Sequence, residues 1–73
     1  MLKKRSFALS GHRTSVALEA EFWTALEEDA RDHGLSLAGL IAQVDTARGE
    51  RNLASALRLH ALKRTSGKTP PAP

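Results

Sequence analysis

Residues 13–36 read RTSVALEAEFWTALEEDARDHGLS, and this stretch decides the fold. Its opening alternates: Thr14, Val16 and Leu18 fall on one side of an extended chain, Arg13, Ser15 and Ala17 on the other, because successive strand side chains point to opposite faces. Val16 and Leu18 belong on a core, which leaves Arg13, Ser15 and Ala17 for solvent or a ligand. From Ala20 the period changes. Phe22, Trp23, Leu26 and Ala30 share one stripe of a helix running to His33. Glu19 and Glu21 suit the positive end of that helix, and Gly34 supplies a left-handed stop.

Working outward, Ser36 is a good N-cap for a second helix that buries Leu37, Leu40, Ile41 and Val44 and runs to about Arg48, before Gly49. Asn52 caps a third helix to about Arg64. Its face of Leu53, Ala56, Leu57 and Ala61 is adjoined by Leu59 and Leu62, an arc wide enough to predict packing partly on the core and partly on another subunit or a protein partner. Residues 65–73, ending in Thr-Pro-Pro-Ala-Pro, have no periodicity and read as a flexible tail. Upstream, residues 1–12 read as a basic arm. Within it Ser6 to Leu9 alternates weakly before Gly11, so this piece either folds back as a short strand or stays in the arm. The domain proper spans 13–64.

The expected fold is mainly α with one strand, and a lone strand leaves backbone N–H and C=O groups unpaired. The partner expected is the same strand of a second copy, giving an intermolecular antiparallel two-stranded ribbon in a homodimer with an extra C-terminal helix. Size agrees. At 73 residues without cysteine, the chain is one domain that disulfides or thiolate-bound metal cannot reinforce, so association is the route to a sufficient core. The dimer core predicted is Val16, Leu18, Phe22, Leu26, Leu40, Ile41 and Val44, and higher assembly through the third helix is left open.

Charge is segregated: residues 1–18 carry +4, residues 19–50 carry −6 and residues 51–73 carry +5. A basic arm and strand make the electrostatic footprint of a nucleic-acid binder. Catalysis finds no constellation, with no tyrosine or cysteine and histidines scattered at 12, 33 and 60. No cofactor or metal is expected; Asp29 and His33, four apart, read as hydrogen-bonding each other or a symmetry mate rather than as two ligands of a metal. No apolar run approaches the ~20 residues of a membrane span, and no signal-peptide core precedes the domain. A cytoplasmic protein is the expectation.

A paired ribbon fits the major groove, about 12 Å wide. There Arg13 can reach guanine O6 and N7, Ser15 a base edge and Ala17 a thymine methyl. The start of the second helix, at Ser36 and Leu37, suits a backbone phosphate, as do Lys3, Lys4 and Arg5.

The run quoted above, continuing to about Arg48, resembles the ribbon-helix-helix family of bacterial repressors, with the Gly34-Leu35-Ser36 turn as the most specific match. The resemblance implies that outward strand residues, here Arg13, Ser15 and Ala17, read bases and that Ser36 and Leu37 grip phosphate. It implies a double-stranded DNA partner and a repressor-like regulator. The alternative from another class is a dimerisation adaptor or antitoxin-like module that docks a protein through the third helix.

Overall fold

In the computed structural model, which describes residues 1–68, strand β1 (Leu2–Leu9) turns back through Ser10 and Gly11 into strand β2 (His12–Glu19). Both turn residues have positive φ, 51° and 81°, the two-residue hairpin geometry whose twist matches that of the flanking strands. The register pairs Leu9 with His12, Ser6 with Ser15 and Leu2 with Glu19. Helices α1 (Ala20–Asp32), α2 (Leu37–Ala47) and α3 (Leu53–Lys68) follow.

The partner of the 13–19 strand is therefore a segment of the same chain, which corrects the expectation of an intermolecular ribbon and of a single strand. A two-residue loop closes at little entropic cost, and the ribbon needs no association to form. Most of the stretch expected as an arm is strand. Its inward positions are Lys3, Arg5, Phe7 and Leu9, two of them charged, so the alternation was masked. The half-buried Arg5 resolves the conflict by laying its guanidinium 5.1 Å from the Trp23 ring centroid and pairing with Glu27 at 3.3 Å.

Caps fall where local chemistry puts them. Helix α1 ends in a Schellman motif: Leu35 N–H donates to the Ala30 carbonyl at 2.8 Å and Gly34 N–H to Arg31 at 3.1 Å, with Gly34 at φ 68°. Ser36 accepts from Gly39 N–H at 3.0 Å and Asn52 from Ser55 N–H at 2.8 Å, so α2 and α3 begin at the residues expected.

The core lies between the ribbon's inner face and the three helices. Trp23, Leu18, Leu26, Ile41 and Leu57 are its largest fully buried side chains. Of the residues expected in a dimer core, Val16, Leu18, Leu26, Leu40, Ile41 and Val44 are buried within the single chain, while Phe22 is half-buried. Helix α3 packs on α1, α2 and β2 and buries Leu53, Ala56, Leu57 and Ala61. Leu59 is half-buried and Leu62 is 52% exposed. Most of the wide arc thus closes on its own chain. The helix continues past Arg64 to Lys68, and the rest of the expected tail lies outside the described residues. No helix among the described residues is long and apolar enough to cross a membrane.

Candidate nucleic-acid interface

The ribbon has two faces of opposite character. Inward, Trp23 of α1 fixes the hairpin: its Nε1–H donates to the Lys3 carbonyl at 2.8 Å and its ring meets Phe7 at 5.9 Å. Outward, the paired positions are Lys4 with Ala17, Ser6 with Ser15 and Ala8 with Arg13. Lys4, Ser6, Ala8, Arg13 and Ser15 are exposed and Ala17 is half-buried. The Ser6 and Ser15 hydroxyls lie 2.9 Å apart at the centre of this face, as suits a pair between hydrogen-bonded rungs, where side chains come closest.

The sequence-predicted base-reading residues Arg13, Ser15 and Ala17 do share one outward face. Of the predicted phosphate residues, Lys4 stands on that same face, whereas Lys3 and Arg5 belong to the inward set and Arg5 is engaged by Glu27 and Trp23. Ser36 and Leu37 stand at the start of α2, Ser36 exposed and Leu37 half-buried. The Ser36 oxygen already accepts from Gly39, where an added Cβ would come within 3.2 Å of it; the hydroxyl keeps its proton to donate.

Residues Lys4, Ser6 and Ala8 were missed as members of the face, and a signal for them exists. Residues 4–9 read KRSFAL and residues 13–18 read RTSVAL. Both run base, any residue, Ser, apolar, Ala, Leu, offset by nine. That short repeat is the sequence trace of the second strand.

A second polar cluster ties α1 to α3. The Asp29 carboxylate, on a residue 4% exposed, is hydrogen-bonded to His60 Nε2 at 2.6 Å and has Arg64 Nε and His33 Nδ1 each 3.2 Å away. His33 Nδ1 also lies 2.8 Å from the Asp29 carbonyl, and Arg64 reaches Asp32 and Glu28 as well. The Asp29–His33 pair was legible from its spacing. His60 and Arg64 come from a helix some thirty residues away and were not. A carboxylate so fully occupied by donors is a structural tether, and no group of three or more His, Cys, Asp or Glu suited to a metal occurs among the described residues.

The basic residues divide accordingly. Arg5, Arg48, Arg58 and Arg64 have acidic partners in Glu27, Asp45, Glu19 and the Asp29 cluster. Lys4 and Arg13 have none among the described residues. Glu19, at the junction of β2 and α1, is held below the usual glutamate range by its own backbone N–H and by the Arg58 guanidinium, against a smaller opposing effect of burial.

A family model described as ribbon-helix-helix domain matches residues 2–65. No curated protein and no solved structure matches the chain.

Proposed function

The chain belongs to the ribbon-helix-helix domain family, and on that premise we propose that it is a DNA-binding transcriptional regulator whose ribbon enters the major groove outward face first. The domain is typical of DNA-binding regulators and antitoxins, typically dimerises, and is a nonenzymatic fold class. One observation carries the reading. The outward face presents exposed Arg13 and Lys4, without acidic partners among the described residues, around a centre of small Ser and Ala side chains. Two strands about 5 Å apart, with such side chains, fit a groove about 12 Å wide. Arg13 is then placed for a guanine edge, Ser15 for a base edge and Ala17 for a thymine methyl. Lys3 and the start of α2 at Ser36 and Leu37 supply phosphate contacts; Arg5 serves instead to hold the ribbon on α1.

Homodimerisation no longer follows from an unpaired strand. Its support is the habit of the family together with the open edge of β2. In this register Leu9–His12, Phe7–Thr14 and Arg5–Val16 exchange backbone hydrogen bonds, so the N–H and C=O groups of Arg13, Ser15 and Ala17 point to that edge.

The test is binding of the full chain to a random-sequence duplex pool across a salt series. We expect affinity to fall linearly on a log–log salt plot and a short motif to be enriched. No binding even at low salt overturns the reading and favours a protein adaptor. The feature that would serve an adaptor is the exposed Leu62 beside Lys63, near a groove between α2 and α3 lined by Val44, Ala47, Arg51 and Leu59.

A further inference from the structure

Between α2 and α3 lies a groove of about 320 Å³ with an apolar floor, and the charged residues that line it are all basic. Val44 and Ala56 are buried at its base, Leu59 is half-buried and Ala47 is exposed. Leu62, 52% exposed, follows Leu59 by nearly one turn of α3. A second depression, of about 260 Å³, adjoins the first at His60 and is lined on α2 by Leu40 and Gln43. Leu40, Gln43, Val44 and Ala47 recur at helical spacing and so share one face of α2. At about 1.5 Å per residue that face is roughly 10 Å long, about two turns.

The cations around the groove differ in whether the chain itself engages them. Arg48 is fixed, donating from Nε to Asp45 Oδ1 at 2.7 Å and from Nη1 to the Arg51 carbonyl at 2.6 Å. His60 is held by Asp29. On α3, Arg58 and Arg64 meet Glu19 and the Asp29 cluster. Arg51 and Lys63 are exposed beside the apolar floor and have no acidic partner among the described residues.

We infer that this groove is a docking site for an acidic amphipathic helix of another protein, whose apolar side chains enter between α2 and α3 while its carboxylates meet Arg51 and Lys63. Such recognition uses an apolar trough and anchors at i, i+3 or i+4, and i+7. A phosphate backbone would lose water over Val44, Ala56 and Leu59 and gain no apolar contact in return. The volume is near the bottom of the roughly 300–1,000 Å³ range of small-molecule pockets, so the groove takes side chains of a segment rather than enclosing a free molecule. A second copy offers no matching segment. Its exposed large apolar residues, among those described, are Met1, Leu2 and Leu62, and the charged neighbours of these in sequence are Lys3, Lys4 and Lys63, which repel a basic rim. No ribbon residue lines the groove. Pairing through the open edge of β2 therefore draws on other residues, and the inference is independent of DNA binding.

The test is selection on the full chain from a displayed library of helical peptides, about three turns long and randomised among Ala, Leu, Glu and Lys. Enriched sequences should carry Leu at i, i+3 or i+4, and i+7, with Glu outnumbering Lys. Fluorescence anisotropy of an enriched peptide should show binding weakened about tenfold or more when Arg51→Glu and Lys63→Glu are combined. Both positions are exposed, and circular dichroism should match wild type. The same peptide with Lys in place of its Glu residues should bind that double variant and not the wild type. In NMR spectra the amides of Val44, Ala47, Ala56 and Leu59 should shift on binding. If no sequence is enriched, or if basic peptides bind the wild type as well as acidic ones, the inference falls. Shifts confined to the ribbon around Lys4 and Arg13 would mean that the peptide acts there as a polyanion, and would overturn it too. Self-association in sedimentation that the double variant abolishes would assign the groove to a second copy, and shifts at the same four amides on adding a short duplex would assign it to DNA. Either result overturns the inference. Failure of the wild type to bind any duplex removes only the DNA-binding reading.

Discussion

The inner and outer faces of the ribbon are made from the same two strands, yet Arg5 and the apolar side chains on one are committed to the helices while Lys4 and Arg13 on the other stand exposed. Inward, Arg5, Phe7, Leu9, Val16 and Leu18 meet Trp23, Glu27 or the helical core. Outward, Lys4 and Arg13 flank small residues and meet no acid among the described residues. Period-two alternation thus assigns packing to one face and exposure to the other, and under the proposed function substitutions should separate stability from DNA binding.

The largest effect should come from removing what the inner face packs against. Ending the chain after Arg51 takes away Leu53, Ala56, Leu57 and Ala61, four buried side chains, and with so small a core circular dichroism should show an unfolded chain. A folded truncated chain would mean that ribbon, α1 and α2 suffice alone, and that α3 is an accessory.

Within the inner face, Trp23→Ala should cost about 3–5 kcal/mol in urea unfolding, the range for deleting a buried large aromatic. It also removes the donor to the Lys3 carbonyl. A loss below 1 kcal/mol would show that the hairpin does not depend on this anchor.

On the outer face the signature reverses. Arg13→Ala should leave unfolding within about 0.5 kcal/mol of wild type while costing about 1–3 kcal/mol of discrimination at one base pair. A destabilised Arg13→Ala chain would break the division of labour between the faces.

The turn serves both faces. Gly11→Ala places a side chain at φ 81° with no neighbouring atom to clash, so its cost is conformational, about 1–2 kcal/mol. The midpoint of denaturation should fall by that much, and DNA affinity should drop only as far as the hairpin opens.

The smallest effect expected is at the ribbon's end. Glu19 has a folded-state pKa below its unfolded value, so its contribution is present above the unfolded value and is lost as pH falls through the folded one. Stability measured on an acid titration should therefore decline less steeply in Glu19→Gln than in wild type across that interval. Identical slopes would show that the exposed Glu19–Arg58 pair contributes nothing measurable, the usual outcome for surface pairs.

Legibility in the sequence followed locality. The outward set Arg13, Ser15 and Ala17, the Ser36 and Asn52 caps and the Gly34 stop were readable because each depends on residues within a turn or on strict alternation. Lys4 and Ser6 were harder. Charged Lys3 and Arg5 occupy the inward positions of β1, and only Trp23 and Glu27, far along the chain, make an inward arginine acceptable. The leucines of α3 could not be sorted from periodicity, since apolar residues surround much of that helix; contact with α1, α2 and β2 sorted them.

By itself the sequence determined the order of the main elements, their ends, and which face of the β2 strand would be turned away from the core. These are consequences of backbone sterics, capping chemistry and side-chain period, all acting over a few residues. Tertiary structure alone decided that the second strand of the ribbon comes from the same chain and that Asp29 gathers His60 and Arg64 as well as His33. It also decided that the core closes without a second copy. Those outcomes depend on which distant segments bury each other best, because the stability of a strand edge, a buried carboxylate or a leucine is set by the partner that reaches it.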